Sequence, residues 1–166
     1  MRIAPRIATL AALLALGVAA FAADAERDAE VARRGAEVMP FDLAATTHVF
    51  TKTADGGTER VVAKRRGDEE QTKLVRAHLH EIQGRFQQRD FSAPARIHGN
   101  QMPGLAELQA AAPGAIAIAY RDVPDGAELT FGTKDARLVA ALHRWIDAQL
   151  SEHGHDAREG HAHPAP

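Results

Sequence analysis

Two stretches of the chain share one order of hydrophobic and polar positions, and each predicts a hairpin followed by a helix. In the first stretch, segments 46–53 and 58–64 are rich in β-branched residues and flank Asp55-Gly56-Gly57, a strong hairpin turn signal. Asp68 then caps a helix that should end near residues 88–90. The apolar face of this helix consists of residues at helical spacing, namely Leu74, Val75, Leu79, Ile82 and Phe86.

The second stretch repeats this order. Segments 115–120 and 127–131 flank the turn Pro124-Asp125-Gly126, and Asp135 caps a last helix. The apolar side of that helix consists of Leu138, Val139, Leu142, Ile146 and Leu150, bordered by Trp145. We therefore expect an α+β fold in which two ββα units form a four-stranded antiparallel sheet with two main helices on one face. Duplication of one unit and convergence on a common pattern are both open as its origin.

The two ends of the chain differ in composition from this single domain, which we assign to residues 38–151. Arg2, Arg6 and an apolar run over 7–20 precede Ala20-Phe21-Ala22, which is the pattern of a signal peptide over residues 1–22. The run is too short for a stable membrane anchor, so we expect a bacterial protein that is periplasmic or secreted. Residues 23–37 are predicted to be a mobile leader, and residues 152–166 a disordered His-rich tail.

The composition limits the kinds of ligand that the protein can bind. The chain has no cysteine, so it offers no thiolate to a metal. Removal of Arg2 and Arg6 with the signal peptide changes the formal net charge from −2 to −4, which argues against a nucleic-acid partner. Gly-x-Ser-x-Gly, His-Glu-x-x-His and phosphate-loop motifs are absent, so the sequence offers no positive evidence for an enzyme.

The segment that joins the two units, residues 95–105, carries the first candidate chemistry. His98 and Met102 offer an imidazole and a thioether, which suit copper and especially Cu(I). Gly99 and Gly104 would let the backbone turn closely around an ion. The alternative is ordinary packing, in which Met102 fills the core and His98 bonds to a backbone carbonyl. A short helix over 105–112 should follow.

Two more histidines are placed to reach this segment. His78 lies four residues from both Leu74 and Ile82, which puts it on the apolar face of the first helix. His48 shares its side-chain direction with Phe50 on the first strand. If that side of the strand faces the helices, the imidazoles converge on one copper site, or on a zinc site with an open position.

The predicted metal ligands thus form an internal and a terminal group. The internal group is His48, His78, His98 and Met102, with His143 near the edge of the last helix as a further member. The terminal group is His153, His155, His161 and His163, which can chelate nickel, copper or zinc without any fold. A solubilising tail that binds metal only incidentally is the alternative for the terminal group.

The residues also carry a resemblance, which extends from Met39 to about His153. It rests on the motifs Met39-Pro40-Phe41-Asp42-Leu43, Thr46-Thr47-His48-Val49-Phe50, Arg96-Ile97-His98-Gly99, Met102-Pro103-Gly104-Leu105 and Leu142-His143-Arg144-Trp145. In these motifs the chain resembles small exported proteobacterial proteins of unknown function, some of which carry the name aspartate carbamoyltransferase. The chain lacks the Ser-Thr-Arg-Thr loop of that enzyme and is too short for its two domains, so the resemblance implies one exported domain and no mechanism.

Taken together, these features predict a periplasmic protein that binds a transition metal, with copper as the first choice and zinc or nickel as alternatives. Two other classes stay open. One is a non-metal interaction module of the cell envelope, whose protein partner the sequence does not identify. The other is a small enzyme.

Overall fold

The computed structural model describes residues 26–161, and the predicted signal peptide and His163 lie outside this range. Four strands form two hairpins: β1 (Thr46–Thr53), β2 (Gly56–Ala63), β3 (Ala117–Val123) and β4 (Gly126–Gly132). A short strand follows near the end of the described residues, β5 (Ala157–Glu159). The helices are α1 (26–38), α2 (Glu69–Gln87), α3 (Ser92–His98), α4 (Leu105–Ala110) and α5 (Ala136–Glu152).

Local signals in the sequence explain where the two long helices begin. The Asp68 side chain accepts a hydrogen bond from the backbone N–H of Gln71 at 3.2 Å, which caps α2. Asp135 caps α5 in the same way, through the N–H of Arg137 at 2.8 Å. Each cap satisfies a backbone donor that has no partner within its own helix.

The five strands form one mixed sheet in the order β3-β4-β2-β1-β5. The pairs among β1 to β4 are antiparallel, and the two hairpins join through β2 and β4. The prediction of a four-stranded antiparallel sheet is wrong, because β5 adds a fifth strand that is parallel to β1. β5 contains only Ala157, Arg158 and Glu159, so it lacks the apolar alternation that would reveal a strand. Backbone pairing with β1 holds β5 in place instead. The pairing extends one residue beyond the strand, where the Gly160 N–H donates a hydrogen bond to the Phe50 carbonyl at 2.8 Å.

The long helices cover one face of this sheet. α2 packs mainly on β3 and β4, whereas α5 packs on β1 and β2. The core between the layers includes Phe50, Leu129 and Trp145, none of which is exposed. None of the helices in residues 26–161 combines the length and the apolar character needed to cross a membrane.

Three shorter helices accompany the two long ones: α1 lies in the predicted leader, α3 in part of the predicted central loop, and α4 confirms the short helix predicted over 105–112. α1 runs through residues 26–38, where Val31 is only 1 % exposed and therefore packs against the domain. α3 occupies part of the predicted loop, and Pro94 lies near its start, where a missing N–H costs no helical hydrogen bond. α4 packs on α5, and Gly104 at its N-terminal end lies directly against α5.

Candidate functional site

A small cavity lies at the end of the helical layer, above β1 and β2. Its volume is about 40 Å³, which is room for a few waters or one ion. Side chains from β1, β2, α2, α3 and α5 line it, and the polar ones are His48, Glu59, His78, His98, Gln149 and His153. The cavity thus collects four histidines in a largely apolar interior.

His48 reaches the cavity because alternate residues of β1 face the helices. Thr46, His48 and Phe50 are buried, and His48 is only 1 % exposed. Among the described residues, its Nδ1 atom has no hydrogen-bond partner. A buried polar atom without a partner costs free energy, so this nitrogen marks a place where a ligand would be stabilised.

His98 lies at the end of α3 and is held by a carboxylate. Its Nδ1 atom lies 2.6 Å from Oε2 of Glu152, at the end of α5. Arg27 of α1 donates from Nη2 to the same Glu152 oxygen at 3.0 Å and to the His98 carbonyl at 2.6 Å. The Glu152 charge is therefore paired with Arg27, and Glu152 in turn orients the His98 ring.

His153, which directly follows α5, lies between the other two rings. Its ring centroid is 5.1 Å from that of His48 and 5.0 Å from that of His98. Its Nε2 atom lies 3.1 Å from Oε1 of Gln149, and the Gln149 side chain also hydrogen-bonds to His98. Gln149 thus bridges two of the three imidazoles.

Burial keeps these imidazoles neutral. Burial above all, together with the nearby His78, lowers the pKa of His48 to about 4, although a backbone hydrogen bond to Asp156 opposes the shift. Burial is also the largest cause that lowers the pKa of His78 and of His98. The pKa of His153 lies well below its usual value for the same reason. Neutral imidazole is the form that binds a metal.

Glu59 brings a carboxyl group to the same cavity. It lies on β2 opposite Phe50 of β1 and Leu129 of β4, and its neighbour Val61 is fully buried on the same face. Burial alone raises the pKa of Glu59 to about 7. The strand alternation of β2 predicts this inward direction, because Glu59 and Val61 are two residues apart.

The predicted ligands are only partly brought together. His48, His78 and His98 line the cavity, and His78 packs edge-on against Phe41 with ring centroids 5.6 Å apart. Met102 lies in the hydrophobic core instead, and the methionine that lines the cavity is Met39.

The remaining histidines of the prediction lie elsewhere or outside the described range. His143 places Nε2 at 2.9 Å from the Thr53 carbonyl and 3.0 Å from the Gly56 carbonyl, so it holds the β1–β2 turn. His155 and His161 are exposed, and His163 is outside the described residues. Of the three tail ligands that lie within residues 26–161, His153 alone lines the cavity.

Within residues 26–161, no group of three or more His, Cys, Asp or Glu side chains is arranged to hold a metal ion. The imidazoles are close to one another, but their hydrogen bonds to Glu152 and Gln149 turn nitrogen atoms toward protein partners. An ion could enter only if some of these side chains rotated.

The fold and the cavity together define an α+β domain with a buried histidine cluster. No protein-family model, no curated protein and no solved structure matches the chain. The chemistry of the cavity is therefore the basis for an assignment of function.

Proposed function

We propose that the protein is exported to the bacterial periplasm, or secreted, and binds one transition-metal ion, copper by preference, in the cavity. His48, His98 and His153 are the proposed ligands. The observation that carries the proposal is the position of His153, whose ring centroid lies 5.1 Å from that of His48 and 5.0 Å from that of His98. Two imidazoles on one tetrahedral ion, with metal–nitrogen bonds of about 2.0 Å, have ring centres about 5 Å apart.

The hydrogen bonds around the cluster also suit a metal site. A ligating histidine commonly gives its second nitrogen to a carboxylate or carbonyl, which orients the ring. His98 has such a partner in Glu152, and His48 has one in the backbone of Asp156. His48 keeps Nδ1 without a partner among the described residues, so an ion there would satisfy a buried atom.

Metal entry requires a local rearrangement in this proposal. Gln149 hydrogen-bonds to both His98 and His153, and an ion that binds both rings would replace these bonds. The cost is limited to rotation of a few side chains, because the backbone elements already bring the rings within 5.1 Å of a neighbour.

The test is a copper titration on a parent protein without the exposed histidines. In this parent, His155, His161 and His163 are replaced by Asn, so that the terminal segment cannot bind metal at these positions. Competition with a chromophoric Cu(I) chelator, in the absence of oxygen, should show one bound ion. His48→Asn, His98→Asn and His153→Asn should each weaken that binding by about tenfold or more. Equal binding by the parent and all three variants, or none by the parent, would overturn the proposal.

A further inference from the structure

The sheet face opposite the helices carries a groove, which we call the outer groove. Its volume is about 490 Å³, within the range of small-molecule sites. Outward-facing side chains of β1 to β4 form its floor, and the C-terminal segment around β5 lines one side. A side chain added at Gly160 would meet Val49 and Thr51 of β1, so this segment lies directly on the sheet there. The groove is thus concave, and it is separate from the histidine cavity on the other side of the sheet.

Two arginines on the floor of the outer groove are held by one buried carboxylate. Arg60 of β2, Glu128 of β4 and Arg121 of β3 lie side by side on neighbouring strands. Arg60 donates from Nε to Oε2 of Glu128 at 2.7 Å, and Arg121 donates from Nε to Oε1 at 2.8 Å. The Nη2 atom of each arginine lies 2.6 Å from the same carboxylate oxygen as its Nε atom. The Nη1 atoms make no hydrogen bond within residues 26–161, so they are available to a ligand.

The exposed fractions of these three side chains show which of them face the groove. The Glu128 side chain is 5 % exposed, whereas those of Arg60 and Arg121 are 44 % and 59 % exposed. The guanidinium groups therefore lie between the carboxylate and solvent. Because Glu128 fixes both arginines, their unused N–H groups are oriented before any ligand arrives, which reduces the entropy lost on binding.

A third arginine leaves the outer groove with an excess of positive charge. Arg158 pairs in register with Val49, whose side chain points away from the inward-facing Phe50, and it makes no ion pair within residues 26–161. Glu159 also lines the groove, but it is in register with Phe50, so strand alternation directs its carboxylate toward the helices. Three guanidinium groups thus face the single carboxylate of Glu128, an excess of two positive charges.

The donors of the outer groove suit a phosphate group. A phosphate monoester carries about two negative charges near pH 8, and its three terminal oxygens accept hydrogen bonds from several directions. The fork of N–H donors on arginine matches phosphate oxygens, and the hydroxyls of Thr51 and Thr58 add neutral donors beside it. The described residues that line the groove include no Phe, Tyr or Trp, so it offers no ring for stacking a base and no aromatic anchor for a membrane.

We propose that the outer groove binds a small soluble molecule that carries a phosphate group, through Arg60, Arg121 and Arg158. Arg60 and Arg121 bind the phosphate with the N–H groups that Glu128 leaves unused, and Arg158 binds it from the side of the C-terminal segment. The site does not depend on the proposed metal binding, because the groove and the histidine cavity lie on opposite faces of the sheet.

The experiment titrates the protein of unaltered sequence with glycerol phosphate at about pH 8 and constant ionic strength. Amide chemical shifts in NMR spectra report binding, and malonate, which also carries two negative charges, is the control ligand. We expect glycerol phosphate to shift the amides of Thr51, Thr58 and Arg60 and malonate to bind more weakly. Arg158→Gln should weaken the binding of glycerol phosphate by about threefold or more. Arg66→Gln removes one positive charge at an exposed position outside the groove and should leave the binding unchanged.

A second variant tests the arginine fork separately from the charge. Arg121→Lys keeps a positive charge beside Glu128 but lacks the second amino group that would reach the phosphate. It should also weaken the binding of glycerol phosphate, and thermal unfolding of each variant would identify losses caused by misfolding.

Several results would overturn the inference. Equal affinity in Arg158→Gln, Arg121→Lys and Arg66→Gln would show that the groove does not hold the phosphate. Malonate that binds as tightly as glycerol phosphate would assign the groove to carboxylates. Binding to vesicles of anionic phospholipid, without any binding of glycerol phosphate, would make a membrane surface the partner of this face. No binding of either probe would reject the site outright.

Discussion

His153 stacks on His48, with ring centroids 5.1 Å apart and ring planes 19° from parallel. One residue lies on the first strand and the other directly follows the last long helix. β5 closes this arrangement, because Ala157 pairs with His48 in the parallel register and draws the C-terminal segment along β1. The C-terminal segment is thus part of the cavity wall.

This contact predicts that His153 contributes to copper binding and that His155, two residues further along the chain, does not. Replacement of His153 by Asn should weaken copper binding by about tenfold or more, because it removes an imidazole between His48 and His98. The same replacement at His155, which is exposed, should leave the internal site unchanged. Chelator competition on the two single variants measures the difference, and equal losses would assign copper binding to the exposed histidines of the C-terminal segment rather than to the cavity.

Trp145 should report on binding in the cavity. It is the only tryptophan of the chain, it is fully buried, and it lines the cavity. A copper ion bound there would lie close to the indole and quench its fluorescence. Titration should therefore quench the emission of the parent protein at one equivalent, and His153→Asn should abolish this step. Quenching of equal size in both proteins would place the copper outside the histidine cluster.

Acid should destabilise the metal-free protein through the buried imidazoles. The pKa of His48 is about 4 in the folded protein and 6.5 in the unfolded chain, so the unfolded chain binds more protons between these values. The free energy of unfolding therefore falls as the pH decreases from 6.5 to 4, by about 3 kcal/mol for this residue. Burial lowers the pKa of His78, His98 and His153 too, which adds to the effect in the same direction.

Urea unfolding at several pH values, with a chelator present, tests this expectation. His48→Asn should reduce the slope of stability against pH below 6.5, because the unfavourable protonation at position 48 is removed. The exposed His155→Asn should leave the slope as it is in the protein of unaltered sequence, which is the reference for both variants. Parallel pH profiles for all three proteins would contradict the assignment of the acid sensitivity to His48.

Much of the fold could be predicted because its signals are local. The turns at Asp55-Gly56-Gly57 and Pro124-Asp125-Gly126 separate segments of β-branched and apolar residues, and Asp68 and Asp135 cap the helices that follow. β5 has no such signal, since its residues are small or charged and its stability comes from pairing with β1. The fifth strand can therefore be identified only from the tertiary structure.

The residues of the cavity also divide into those that local sequence patterns could place and those that they could not. Strand alternation and helical spacing are sufficient to direct His48 and His78 toward the interior. The sequence names His153 only as a ligand of the tail and could not place it in the cavity, because Glu152-His153-Gly154-His155 has the composition of a flexible tail and its order depends on contacts with β1. The sequence does contain a signal for Glu59, because it lies two residues from the buried Val61 on the same strand and so shares its face. An acid on an inner face nevertheless contradicts the usual preference for apolar residues there.

The two glycines of the segment before α4 provide a last test of what that segment does. Both have positive φ, 87° at Gly99 and 79° at Gly104. A Cβ atom at Gly104 would lie 2.2 Å from the Ala141 carbonyl oxygen in α5, whereas a Cβ atom at Gly99 would meet nothing within 4 Å.

Gly104→Ala should therefore lower the free energy of unfolding by more than Gly99→Ala. The strain of the backbone conformation costs each variant on the order of 1–3 kcal/mol. The clash with the backbone of α5 adds on the order of 1–3 kcal/mol or more at Gly104 alone. Urea unfolding of the two variants measures both losses. Equal losses would mean that α4 does not need its close approach to α5. The expected difference would show that Gly104 serves packing, which leaves the proposed metal binding to the histidines that β1, α3 and the end of α5 bring together.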